Sequence, residues 1–151
     1  MELSEIIKRF PAYFKNFTLP KCATEQEIEV YRACRTRKIE KASFLNSFEE
    51  NGLKVAVGGD EGDPQEYCLS TYSKLKDIKR FVAIDSKYSP PFLLAKGITH
   101  PSCGVSCVTK EWRAQCKSSH VDWWLYEDAE PWVYFREVDY EKELTAVSER
   151  G

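Results

Sequence analysis

Apolar residues along this chain fall in short runs whose period changes from helical to alternating every ten to twenty residues. From Ser4, an expected N-cap, Ile7, Phe10, Phe14 and Phe17 repeat at helical spacing, while Pro11 forbids an unbroken helix; the pattern predicts two short helices within residues 1–18 forming a lid. IEVYRAC reads as a strand, although Thr24 and Glu27 also make a capping box. Ser43 is placed to cap a helix FLNSFEE that buries Phe44, Leu45 and Phe48, and Asn51-Gly52 supplies a left-handed stop. LKVAV alternates as a strand before the polar turn GGDEGDP, which lacks the spacing of a calcium-binding loop. EYCLSTY is a further strand, followed by a helix KLKDIKRFVAI capped by Ser73. After the loop DSKYSPP come the strands FLLAKGIT and HVDWWLY, the latter with Val121, Trp123 and Leu125 on one face and Asp122, Trp124 and Tyr126 on the other. WVYFREV is its expected hairpin partner, and residues 139–151 fade from a short helix into a frayed end.

No repeat or internal linker interrupts the 151 residues, so the pattern predicts one α+β domain over 1–151: a mainly antiparallel sheet of about five or six strands with short helices packed on it. A chain 42% hydrophobic and 30% charged carries enough apolar surface for a packed core. The opening MELSEIIKRF mixes acids and a base with its apolar residues, and no run reaches about 20 apolar positions, which predicts no leader, no membrane span and a cytoplasmic location. In that setting six irregularly spaced cysteines are expected as free thiols or metal ligands.

Three of those cysteines and both histidines lie between His100 and His120. Cys103, Cys107, Cys116 and His120 read C-x3-C-x8-C-x3-H, and each three-residue gap lets a turn offer two ligands to a tetrahedral ion, so a structural zinc is expected there, with Thr109 capping a short helix VTKEWRAQ. The same residues also fit three reduced thiols beside two histidines.

The net charge of −2 gives the whole molecule no polyanion-binding signature, so any such surface is local. Residues 32 to 41 hold five bases, among them Arg35, Arg37 and Lys38, and Lys74, Lys76, Lys79 and Arg80 form a second basic face. Residues 122 to 143 answer with eight acids against two bases. Trp123 and Trp124 in the aromatic hairpin are candidate binding anchors. No phosphate-binding glycine loop, nucleophile elbow, dinucleotide fingerprint or HExxH helix is present, which excludes the common enzymes with local signatures. The reading is a small intracellular binding or regulatory domain with a protein or nucleic-acid partner, a nucleic-acid adaptor being its most concrete version.

A second layout competes with it. Arg32 in VYRA, Ser70-Thr71 in CLSTYSK and a later glutamate resemble the arginine, serine-rich strand and glutamate of ADP-ribosyltransferases. The resemblance implies an enzyme acting on NAD, with Arg32 and Ser70 seating the cofactor and Glu127 supporting the developing sugar cation; Glu130 or Glu137 fits the same role.

Overall fold

A computed structural model describes residues 9–55, 57–83 and 91–150. The expected Ser4 cap and Ile7, Ala56 of LKVAV, and residues 85–90 of the DSKYSPP loop lie outside them. Six strands, β1 (Glu29–Cys34), β2 (Leu69–Tyr72), β3 (Leu93–Ile98), β4 (Gly104–Val108), β5 (His120–Leu125) and β6 (Phe135–Glu137), form one antiparallel sheet in the order β4-β5-β2-β1-β3-β6. Among the described residues three α-helices accompany it: α1 (Ser47–Glu50), α2 (Leu75–Val82) and α3 (Tyr140–Arg150). This is the α+β arrangement that the alternation of periods predicts.

Both faces of the sheet are covered, so even the polar residues Arg32, Thr71 and Asp122 of its inner strands are buried. On one face Val121 and Trp123 of β5 join Val30, Leu69, Ala95 and Phe135 under the ring of Phe44. The other face is divided. Toward β4, Trp124, Val105 and Tyr67 pack against Phe10 and Phe48. Toward β3, Tyr31 and Leu94 pack against Leu75, Ile78 and Val82 of α2. The α3 helix is held by Glu143, which accepts from Tyr31 Oη at 2.7 Å and from buried Lys96 Nζ at 3.2 Å.

Several elements differ from the pattern's expectation. Among the described residues of the lid, Pro11 is followed by a 3-10 helix, Ala12–Asn16, in place of an α-helix. Asn46, not Ser43, caps α1, because Glu49 closes a capping box with it and Ser43 spends its hydroxyl on Thr36. The expected strand LKVAV is absent among the described residues: Leu53 sits at φ 64° and is exposed. Helix α2 starts after Lys74, whose N–H is taken by Ser119 Oγ at 2.9 Å, leaving no capping role for Ser73. Thr109 opens only the 3-10 turn Thr109–Glu111. WVYFREV contributes β6, which pairs with β3 and not with β5. The C-terminal segment is an 11-residue helix.

Cys22 and Cys107 are joined in a disulfide, so these two of the six cysteines are not free thiols. Among the described residues no helix is long and apolar enough to cross a membrane.

Candidate anion-binding cleft

Strands β1 and β2 share one register pair, Tyr31 with Tyr72. Beyond it, toward Cys34 and Leu69, no further pair joins them, and carbonyls that a ladder would satisfy must find other donors. Arg32 supplies one of them: its Nη1 donates to Ser70 O at 2.8 Å, while its Nε donates to Ser43 O, on the 3-10 turn Lys41–Ser43, at 3.1 Å. Arg32 is buried, 8% exposed as a residue, and makes no ion pair among the described residues. Burial lowers its pKa from the ordinary arginine value, with the Glu50 carboxylate opposing that shift.

Where the strands part, a cavity of about 260 Å³ opens, lined by Arg32, Arg35, Glu50, Ser70, Arg80 and the rings of Phe81 and Phe92 among others. Arg35 belongs to the first basic segment and Arg80 to the second, so the two basic stretches of the sequence meet on one cleft. Arg35 pairs with Glu50 at 3.4 Å and lies over Phe92, its guanidinium carbon 5.6 Å from the ring centroid. Arg80 lies over Phe81 at 4.6 Å. The two rings are parallel, with centroids 6.2 Å apart. Three guanidinium groups against one carboxylate leave a positive cleft, and its walls are aromatic.

Behind β2 lies a second buried charge. Asp122 is the register partner of Ser70 and is fully buried. Its Oδ1 accepts from Gln65 Nε2 at 3.0 Å and from Cys68 Sγ at 3.3 Å, and its Oδ2 from Thr109 Oγ1 and Trp112 Nε1, each at 2.8 Å. Thr109 also meets His120 Nδ1 at 2.6 Å. Because the threonine hydroxyl has one proton and gives it to Asp122, His120 must donate from Nδ1. His120 Nδ1 also lies 3.3 Å from Asp122 Oδ1. Burial pushes the Asp122 carboxyl up, but His120, Gln65 and Trp112 together outweigh it and hold the pKa below the ordinary value. The same burial, with Asp122 beside it, pushes the Cys68 thiol well up, so it stays protonated. Arg113 extends the network to Gln65 and Asp63.

The sequence-based candidates divide accordingly. Arg32 and Ser70 come together at the cleft, whereas Glu127 lines a separate apolar cavity with Phe10 and Phe14, and its N–H bonds Arg9 O. Arg35 lines the cleft; Arg37 and Lys38 are exposed outside it, Arg37 at φ 61°. Trp123 and Trp124 are both fully buried and cannot anchor a partner; they build opposite faces of the core because strand alternation sends adjacent residues to opposite sides. The four expected zinc ligands do not assemble. Cys107 is committed to its disulfide, Cys103 is buried in the cluster around Trp123, Cys116 Sγ contacts Ser118, and His120 is held by Thr109. Equal gaps suggested two turns, but Cys107 lies within β4 and Cys103 just before it, and the extended chain between them carries the two thiols into different core clusters.

Glu50 and Asp122 are the site acids that sequence reasoning missed. An isolated acid in the apolar strand HVDWWLY was the available signal for Asp122, since a carboxylate there must be either a register error or a buried, fully bonded group. Comparison of the chain with protein-family models, curated proteins and solved structures finds no match.

Proposed function

We propose that this chain is a binding domain for a small phosphate-bearing ligand of the nucleotide kind, seated where β1 and β2 part. The observation that carries it is Arg32: a buried guanidinium with two carbonyl acceptors and no carboxylate, facing a cavity that Arg35 and Arg80 also line. A guanidinium stripped of water gains most from an anion able to accept several N–H bonds, as phosphate does. Phe81 and Phe92 supply apolar surface for a planar ring. The test is calorimetric titration with pyrophosphate, ADP and NAD at low and moderate salt. Binding of the nucleotides that weakens with salt is expected, and it is lost in Arg32→Met; absence of heat with all three, or unchanged affinity in Arg32→Met, rejects the reading.

One contact favours an enzymatic version. Arg32 Nη1 touches Ser70 O, so two of the three residues in the ADP-ribosyltransferase resemblance border one cleft, and the acid available beside them is Glu50, not Glu127. In this version NAD is the ligand, water adds to the sugar carbon and loses a proton to solvent as the bond to nicotinamide breaks, and Glu50 faces the positive charge that develops there. Glu50→Gln then slows nicotinamide release far more than it weakens NAD binding, because the charge it opposes develops only in the transition state. Release from wild type no faster than from a heat-inactivated control leaves binding alone.

A further inference from the structure

Outside the cleft, one cluster of coordinating atoms has no role yet. Cys107 is fully buried on β4, Cys22 is partly exposed in the turn after Pro20, and Glu111 stands on the 3-10 turn that follows β4. Their ligand atoms all lie within 4.8 Å of one another. Glu111 Oε2 is 3.7 Å from Cys107 Sγ. Tetrahedral zinc, with bonds of about 2.3 Å to sulfur and about 2.0 Å to oxygen, sets neighbouring ligand atoms about 3.5–3.8 Å apart, so this pair already has the separation of two ligands on one ion.

We propose that opening the Cys22–Cys107 disulfide creates a metal site: two thiolates and the Glu111 carboxylate around a thiophilic divalent cation of the zinc type, with the fourth position left to solvent. A dithiol reductant supplies two electrons and two protons, yielding two thiols and leaving as its own disulfide; the cation then displaces the two thiol protons. The two sulfurs must separate for the ion to enter between them. Cys107 is fixed by the β4–β5 ladder, so Cys22 moves, and its turn has no ladder to break.

What keeps Cys22 in reach after reduction is the backbone two residues on. Thr24 and Ser106 exchange hydrogen bonds, Thr24 N to Ser106 O at 3.2 Å and Ser106 N to Thr24 O at 2.9 Å, and Gln26 Nε2 adds a bond to Ser106 O at 2.7 Å. The segment carrying Cys22 therefore stays docked along β4, and the ion replaces one cross-link by another. The disulfide spans 85 residues of sequence, so either link ties the aromatic N-terminal segment to the sheet.

Cobalt is the probe, because a thiolate ligand gives it an intense near-ultraviolet charge-transfer band. The full chain is reduced, freed of reductant without air, and titrated with cobalt(II). About one equivalent should bind with a thiolate band, and zinc should displace it. The oxidised chain should show no band. Cys22→Ser should abolish it. Glu111→Gln changes an exposed side chain, so the fold is expected to persist, and it should weaken cobalt binding by more than about tenfold, the lower end for losing even an outer partner of a metal ligand. The proposal is overturned if the reduced chain takes up no cobalt, whether or not it keeps its fold, if Cys22→Ser keeps the band, or if Glu111→Gln binds as wild type does.

Discussion

Two buried charges border strand β2 and are treated in opposite ways. Asp122, register partner of Ser70, is fully buried and receives hydrogen bonds on both carboxylate oxygens from Gln65, Cys68, Thr109 and Trp112. Arg32, whose Nη1 reaches Ser70 O, has two carbonyl acceptors and an open cavity beside it. Among the described residues no ion pair joins the two. A carboxylate with its lone pairs filled is a structural element, since nothing remains for it to do with a ligand. A guanidinium that spends two donors on carbonyls and meets no carboxylate has the reverse profile: the fold uses its hydrogen bonds but leaves its charge for something that arrives.

The sharpest test is to remove each charge and compare stabilities. Asp122→Ala takes the acceptor from buried Thr109 and from half-buried Gln65 and Trp112, and at about 1–3 kcal/mol for an unsatisfied buried group, less for the two that water can reach, the loss should reach about 3–5 kcal/mol. Urea denaturation measures it. If Asp122→Ala costs less than about 1 kcal/mol, the network is not structural and the comparison collapses.

The same carboxylate gives a pH signature. Its folded pKa lies below the unfolded value of about 3.9, so its contribution is complete above that pH and is lost as pH falls through the folded pKa. Wild type should therefore lose stability on acidification below about pH 4 more steeply than Asp122→Asn does. Parallel urea midpoints for the two proteins from pH 5 to pH 3 would contradict that assignment.

Arg32→Met should behave differently from Asp122→Ala. It leaves the carbonyls of Ser43 and Ser70 without a donor, yet it also relieves a desolvated charge, and the two effects oppose. The expected stability loss is about 1–2 kcal/mol, together with loss of nucleotide binding. A loss as large as that of Asp122→Ala would make Arg32 the keystone of the split strands and weaken its claim to a ligand.

What the sequence made legible follows the range of the interactions. Strands β1 and β5 announce themselves by local alternation, β2 by its apolar and hydroxyl-rich run, β3 by an apolar run bounded by turn residues, and α2 by its helical stripe, because each is decided by which residues neighbour one another along the chain. Pairing is not local. WVYFREV looked like the partner of HVDWWLY because the two are adjacent, but only three dimensions bring β6 to β3. Strand β4 was hidden inside a stretch read for its cysteines, and the disulfide has its other half 85 residues away. Arg32 and Ser70 were visible through a resemblance of motif order; Glu50 was not, since an acid ending a short helix reads as solvated surface. Trp123 and Trp124 show the opposite error: aromatic residues were assigned to a surface when both faces of the sheet needed filling.

The smallest expected effect separates ligand binding from folding most cleanly. Arg80 is exposed on the last turn of α2, lies over the Phe81 ring, and makes no ion pair or hydrogen bond with any described residue, so Arg80→Ala should leave stability within about 0.5 kcal/mol of wild type. It nevertheless removes one of three positive charges from the cleft. An exposed charge pair contributes up to about 1 kcal/mol, so nucleotide binding should weaken by about two- to fivefold, with a shallower dependence on salt. Calorimetry on a variant whose urea midpoint matches wild type reads this directly. Unchanged affinity and salt dependence would place the phosphate away from α2, against Arg32 and Arg35 alone, and would narrow the cleft's charged wall to the β1 side.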